Sequence, residues 1–291
     1  VDELTGTISE ILIYPIKSCA PVPLRQGRVT ELGLDGDRRW VIVDSTGLFL
    51  TQRQVPHLAL IEPELDTDLK TLSLSGPEQP KLTLPWADDS SPSHPVRVWK
   101  DSVLGLDMGD QAARWLDNFL QIPGRNFRLI QFDPRHARVS DTYWTGKDKG
   151  EFKHAFTDGF AINVLSRQAV TELNTRLEAL GLEPVSHTRF RANIILDGIP
   201  AHEEDLMESM QIATRTGALT LDLVKPCTRC SIPEVDPYTA IREPRISEVL
   251  AEYRRNPAMD HAICFGCNAI VRNGAGQLIR TGDKFSYQLR F

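Results

Sequence analysis

Cys227 and Cys230 enclose Thr228 and Arg229 within the run LVKPCTRCSIPEVDP, Leu223 to Pro237. A thiolate is the soft ligand that late and heavy metals prefer. A guanidinium beside a thiol favours that ionised form, and Arg229 adjoins Cys230 with no acidic residue before Glu234. A second pair, Cys264 and Cys267, begins after 33 intervening residues. Two such pairs outline a four-thiolate zinc site that would staple the C-terminal strands to this loop without any catalysis. Against that outline, Ser231 and Asn268 stand where zinc knuckles commonly carry glycine, and the gap is long. Taken singly, each cysteine is equally readable as an inert buried thiol.

A strand must position the first pair. Leu219, Leu221 and Leu223 alternate with Thr220, Asp222 and Val224, and the strand is expected to end at Lys225-Pro226, leaving Cys227 and Cys230 in a loop. Upstream, strands are predicted over Thr7 to Tyr14, Trp40 to Val43, Leu72 to Leu74, Lys81 to Leu84 and Val96 to Trp99. A hairpin turn at Asp44 to Gly47 should return the chain through Leu48 to Leu50. Short strands at this spacing suggest a barrel or sandwich. Ala112, Trp115, Leu116 and Phe119 mark one face of a helix from Asp110, its expected N-cap, to Leu120. Phe127 to Phe132 reads as a strand, and the polar stretch Pro134 to Lys153 as a long functional or mobile loop. Ser166 should cap a helix that Gly181 ends, and a shorter helix is predicted over Pro244 to Arg255. Arg189 to Leu196 is predicted as a strand. Arg191 and Asn193 would then project to one side, either toward a shared ligand or as a solvated edge with a salt bridge.

Composition excludes some functions. With 33 Lys and Arg against 39 Asp and Glu, the net charge is −6, and no Lys/Arg run exceeds two residues. Bulk electrostatics would repel nucleic acid and anionic membranes, so any anionic ligand must be held by local cations. No apolar run approaches a membrane span and the N-terminus lacks a secretory layout, so a cytoplasmic protein without membrane or nucleic-acid partners is expected. Five cysteines, an odd number, suit a reducing compartment and metal or redox chemistry.

Six segments, in order along nearly the whole chain, carry a family resemblance. They are YPIKSC at Tyr14 to Cys19, LGLDGDRRW at Leu32 to Trp40, TDGFAINVLS at Thr157 to Ser166, RFRANI at Arg189 to Ile194, CTRCSIPEVDP at Cys227 to Pro237, and FGCNAIV with TGDK near the C-terminus. The set resembles the MOSC-domain proteins, the molybdenum-cofactor sulfurase C-terminal family. It is similar to the mitochondrial amidoxime-reducing components and their bacterial homologues. The resemblance implies an α+β, predominantly β fold, with an N-terminal β-barrel-like domain over residues 3–130 and a MOSC β-barrel-like domain over residues 131–291.

It also implies a molybdenum–molybdopterin cofactor whose metal is ligated by Cys230. Lys17, Ser18 and Arg38 match cofactor-binding positions in the N-terminal half, and Arg191, Asn193, Thr228 and Arg229 match those in the MOSC half. Asn268 stands where mitochondrial members carry tyrosine and bacterial relatives asparagine. Asp158 matches an acidic position beside the metal and is the candidate for proton handling. The cations suit a phosphate dianion, although each alone reads equally well as a surface salt bridge. A family-level association with pyridoxal phosphate comes with the same resemblance. The implied activity is reduction of N-hydroxylated or N-oxide compounds with electrons from a separate flavin or iron–sulfur protein. The alternatives are a persulfide carrier working through Cys230 and a non-catalytic zinc module. Two departures matter: Gly159 and Phe160 replace Thr and Ser of mitochondrial members, and no plant-type iron–sulfur cysteine run follows before Phe291.

Overall fold

The computed structural model describes residues 4–146 and 150–290; part of the polar stretch expected over 134–153 and the extreme ends of both expected domains lie outside the described residues. Strands outweigh helices, 43% against 20%, as expected of an α+β, predominantly β chain. Seven strands close into a ring in the order Ile162–Ser166, Ile194–Asp197, Leu4–Ile13, Lys284–Leu289, Met207–Thr214, Gly217–Thr228 and Ala262–Asn273, the last pairing back onto the first. Closure leaves this sheet no open edge within the ring. The Ile162–Ser166 and Ile194–Asp197 pair is parallel, which requires a crossover, and the helix Arg167–Ala179 lies in that connection. Leu219, Leu221 and Leu223 form one buried face, packed with Ile8, Ile212 and Phe285 in the ring's core. Period-2 alternation in the sequence is the physical cause of that inward face.

The ring crosses the expected division at residue 130. Leu4–Ile13 pairs with Lys284–Leu289 and Ile194–Asp197, and Val29 and Leu34 join the same core. The boundary therefore follows chain order rather than packing. What remains of the N-terminal part is a half-barrel. One sheet runs Trp40–Asp44, Phe127–Phe132, Asp101–Asp107, Ser93–Val98, and another runs Glu62–Asp66, Thr71–Gly76, Gln79–Pro85. The amphipathic helix Asp110–Leu120 buries Trp115 and Leu116 in a core with Trp40, Leu72 and Phe127. Trp40 is fully buried, and its replacement by alanine would cost about 3–5 kcal/mol through lost transfer energy and a cavity. No helix among the described residues is long and apolar enough to cross a membrane.

Several local expectations need correction. The thiol strand continues through Pro226 and Cys227 to Thr228, because register shifts between Leu223/Lys225 and Pro226/Thr228 accommodate a residue without an N–H. The segment before Ile194 is no strand: His187–Phe190 forms a 3-10 turn capped by Ser186, and Arg191 is left-handed at φ 55°. The strand over 93–98 stops before Trp99, which sits in a two-residue hairpin loop. Leu48 to Leu50 does return beside Trp40–Asp44, but through isolated bridges, Phe49 to Val43 and Leu48 to Arg97, rather than as a strand. Asp110 is not the cap: Gly109 is, at φ 86°, and Asp110 pairs instead with Arg128 at 2.8 Å. The stretch expected as a loop over 134–153 also carries structure among its described residues, a 3-10 turn at Pro134–His136, a helical turn at Thr142–Thr145 and a pairing of Arg138–Val139 with Lys153–His154, whereas the helix bounds hold, since Ser166 Oγ accepts from Ala169 N and Gly181 (φ 71°) follows the helix end.

Candidate functional site

Cys230, Thr228 and Arg229 reach one cavity of about 250 Å³ together with Lys17, Ser18, Arg38, Asp158, Arg191, Asn193 and Asn268. Every residue matched to a cofactor-binding or metal-site position lines it, whereas Cys264 and Cys267 do not. The walls come from both parts of the fold, because Arg53 and Trp99 of the half-barrel also line it. Six lining side chains are cations (Lys17, Arg38, Arg53, Arg191, Lys225 and Arg229), and Asp158 is the one carboxylate among the described lining residues. A chain with net charge −6 has thus gathered positive charge locally.

The N-terminal wall is built by turns that depart from ordinary backbone. After the strand Leu4–Ile13 the chain is tied to the half-barrel: Lys17 N donates to Trp40 O at 2.8 Å and Trp40 N to Pro15 O at 2.9 Å. Ser18 (φ 69°), Arg38 (44°), Trp99 (56°) and Arg191 (55°) are all left-handed without being glycine. Each such residue costs about 1–2 kcal/mol, and such strain gathers at functional sites. Asp37 Oδ1 accepts from Tyr14 N and from Arg38 Nη1, which fixes Arg38, and Arg38 Nη2 donates to Arg191 O at 2.8 Å. The guanidinium carbons of Arg38 and Arg191 lie 4.4 and 4.2 Å from the centre of the same buried Tyr14 ring. That ring places two like charges side by side.

Arg191 has hydrogen-bonding capacity that the protein leaves unmet. Nη1 donates to Cys19 O at 2.7 Å, whereas Nη2 is buried with no hydrogen-bond partner in the protein. Burial, and then the charge of Arg38, pushes its pKa down to about 10. Neighbouring donors are largely committed. Asn193 accepts from Asn163 N and donates to Leu12 O, so it pins the walls together. Arg229 donates to Phe265 O, to Phe190 O at 2.7 Å and to Asn163 Oδ1 at 3.2 Å. Asn268 Oδ1 accepts from Asn163 Nδ2 at 3.3 Å. The local reading of Arg191 and Asn193 as partners on one strand face fails, yet both arrive at the cavity.

Cys230 lies beyond the strand end and is exposed, while Thr228 is the strand's last residue. Burial raises Cys227, with the charge of Arg229 opposing. The other pair differs. Cys264 and Cys267 are fully buried in the strand Ala262–Asn273, and burial, then Asp205, pushes the Cys264 thiol up to about 11. Among the described residues no group of three or more His, Cys, Asp or Glu side chains is placed to hold a metal ion, so the two pairs do not meet in a four-thiolate centre.

Asp158 faces the cavity with 66% of its side chain exposed, although protein surrounds the recess. Burial would raise its pKa, but the charge and hydrogen bond of Lys17, at 2.7 Å, and the indole N–H of Trp99 hold the carboxyl well below the usual carboxylate range. Ionised at neutral pH, it has no proton to give. A carboxylate held in that form would handle protons by accepting rather than donating them.

Sequence reasoning missed Arg53, Trp99 and Lys225. Trp99 had a readable signal, a bulky residue in the run Val98-Trp99-Lys100-Asp101 between two alternating stretches, where a tight turn ordinarily takes glycine or asparagine. Arg53 had none, because it is distant in sequence from the thiol loop, whereas Lys225 stands two residues before Cys227 and was read as the strand's end.

Residues 5–123 match the MOSC N-terminal beta barrel domain and residues 151–286 the MOSC domain. The chain is 35% identical over 258 residues to mitochondrial amidoxime reducing component 2 of Bos taurus, covering 86% of this chain and 72% of that protein. It is 33% identical to mitochondrial amidoxime-reducing component 1 of Homo sapiens over 263 residues, with the same shares covered. Human molybdenum cofactor sulfurase is 29% identical over 261 residues, 85% of this chain but 28% of that protein. The chain belongs to the MOSC family, in the two-segment form shared with the mitochondrial amidoxime-reducing components.

Proposed function

We propose that this protein is a molybdenum-cofactor-binding oxidoreductase that reduces N-hydroxylated or N-oxide compounds with electrons from a separate flavin or iron–sulfur protein. The observation that carries the reading is the meeting of one exposed thiol, Cys230, with a buried, unpartnered guanidinium nitrogen on Arg191 at a cavity lined by six cations. Those residues fit a group bearing a phosphate dianion and a soft metal. Cys230 would ligate the metal. Arg191 and Arg38 would hold the phosphate, and Lys17, Ser18 and Thr228 would supply further donors. When bound, the cofactor supplies the two-electron chemistry at the N–O bond. The chain's own part is to orient that group, to exclude bulk water beneath the half-barrel wall, and to accept a hydrogen bond at Asp158. Protons for the departing oxygen would come from water, since Asp158 is ionised. The relatives carry a mitochondrial name, so a cytoplasmic site for this chain is part of the proposal and is checked by cell fractionation.

Metal and pterin analysis of the purified chain tests the reading, together with turnover using reduced viologen. The expected result is stoichiometric molybdenum with a pterin signal, and reduction of an amidoxime with viologen but not with a nicotinamide. A cofactor-replete chain inactive with viologen on every N-oxide and hydroxylamine tried would defeat it. Exposed Cys230 also suits sulfur carriage. Sulfane sulfur on that thiol without molybdenum would support the carrier instead.

A further inference from the structure

Beyond Cys230 the chain runs through Ile232 and Pro233, which line the cavity, to a tight turn whose tip is Asp236 to Ile241. Hydrogen bonds fix that tip. Asp236 Oδ1 accepts from Tyr238 N at 2.8 Å and Thr239 N at 2.9 Å, Asp236 N donates to Ile241 O at 2.8 Å, and Ala240 N donates to Asp236 O at 2.9 Å. The base is pinned from inside by the buried Arg189, which donates to Pro233 O, Glu234 O, Asp236 and Glu243. Yet the tip turns its two large apolar side chains outward. Tyr238 is 71% exposed and Ile241 63%, while the small Ala240, at φ 59°, is the residue tucked in. One exposed apolar side chain is ordinary, but two held on one rigid turn form a patch of the kind that marks interaction sites.

The patch continues across the cavity mouth. Arg242 Nη2 donates to Arg53 O, and the Arg53 guanidinium lies 4.6 Å from the centre of the Trp99 ring, itself 46% exposed. Tyr238, Ile241, Arg242, Arg53 and Trp99 thus form one rim that joins the ring to the half-barrel. Tyrosine, tryptophan and arginine carry much of the energy in protein interfaces. The charge of this rim opposes that of the molecule. The turn's two carboxylates, Asp236 and Glu243, are both held by Arg189, whereas Arg242 is exposed. Behind the rim, the described cavity lining carries six cations to one carboxylate, on a chain of net charge −6. An acidic protein is therefore repelled by the net charge and drawn to the mouth, which orients it before contact. A turn already fixed also meets a partner without a cost of ordering. We propose that this rim is the docking surface for an acidic one-electron carrier protein, with Tyr238 and Ile241 as its apolar anchors and Arg242 as its steering charge. The role of this surface rests on the reductase reading and adds where the donor lands. Each encounter oxidises the carrier by one electron. Two encounters supply the pair that, with two protons from water, breaks the substrate N–O bond and releases the oxygen as water.

The test pairs the full chain with an acidic plant-type ferredoxin and with an acidic flavodoxin. Binding is read by calorimetry on loaded and cofactor-free chain, and turnover of benzamidoxime is read with each reduced carrier and with reduced viologen. The combined variant Tyr238→Ser, Ile241→Ser is expected to weaken carrier binding by at least about tenfold and to raise the KM for carrier in proportion. Its kcat at saturating carrier and its viologen-driven turnover should stay at the wild-type values. Arg242→Glu should slow association several-fold at low salt, with the difference closing at high salt. Where the combined variant fails to fold, Arg242→Glu carries the test. Unchanged carrier affinity in both variants overturns the proposal, as does a wild type that binds neither carrier. A dimer that the combined variant dissolves, or binding to phosphatidylserine vesicles that it abolishes, with carrier affinity unchanged, gives the rim to another occupant and overturns the proposal too. Carrier binding that follows the expected pattern while no donor, viologen included, drives turnover sinks the reductase reading alone. Intact viologen turnover with carrier binding indifferent to the rim sinks the docking surface alone.

Discussion

The two Cys-x-x-Cys pairs lie on neighbouring strands, with Thr228 opposite Cys264 and Pro226 opposite Cys267, yet their chemistry diverges. The first pair straddles a strand end, so Cys230 emerges exposed among cations at the cavity. The second pair lies wholly within a strand. Gly266 between its cysteines is left-handed at φ 75°, and a Cβ there would meet Val164 O at 2.7 Å, so the strand presses closely on its neighbour and both thiols are sealed. Around them sit the buried Glu204 and the half-buried Asp205; Asp205 raises both thiols further, and Glu204 raises Cys267. Identical spacing therefore marks an exposed thiol at the cavity, the proposed metal ligand, in one case and core packing in the other. The deciding variables are where the strand stops and which charges face the sulfur.

The sharpest break would come from Cys230→Ser. Removing the soft ligand is expected to lower molybdenum-dependent turnover by at least about a hundredfold, beyond the cost of removing an outer supporting group. The melting point should match that of cofactor-free wild type. Cys267→Ser that stays folded should keep its molybdenum; equal metal loss in both variants would erase the contrast drawn between the pairs.

A smaller effect is expected behind the second pair. Glu204 is fully buried, with Oε1 accepting from Ser166 N and Oε2 without a partner. Burial pushes its pKa up to about 7, against the opposing bonds from Ser166. Between the ordinary glutamate value and about 7 the folded state binds more protons than the unfolded one, so stability falls as pH rises through that window. The loss is on the order of 3 kcal/mol once Glu204 is ionised. Glu204→Gln should flatten that slope, so that denaturant midpoints at pH 5 and pH 8 draw together. A slope unchanged by the substitution would mean that ionisation there is not resisted by burial.

Smallest of all is the packing role of the sealed thiols. Cys267→Ala should cost about 1 kcal/mol through a small cavity, while Cys230→Ala in the cofactor-free chain should cost almost nothing. Alkylation of the native chain should modify Cys230 first, with Cys264 and Cys267 reacting only on unfolding. Native-state labelling of Cys267 at the rate of Cys230 would contradict its burial.

Local pattern determined a good deal of this protein. Alternation at Leu219, Leu221 and Leu223 specified a strand face, Ser166 and Gly181 bounded a helix, and the motif segments named Lys17, Arg38, Arg191 and Cys230 before any geometry was in view. Those are short-range properties: side-chain period, capping and residue type act within a few positions. Tertiary structure decided the rest. Whether Pro226 ended its strand depended on bulges in its pairing with a partner 41 residues away in the chain, as the pairing of Pro226 with Cys267 shows. Which thiol was exposed depended on where that ladder stopped. Trp99 and Arg53 joined the cavity because the half-barrel is tied to the ring through Leu4–Ile13 and the turn after it, and the unpartnered nitrogen of Arg191 became visible once every neighbouring acceptor could be counted. Burial and unmet hydrogen-bonding capacity are properties of the surroundings, and the surroundings are assembled from segments that no local window of sequence contains.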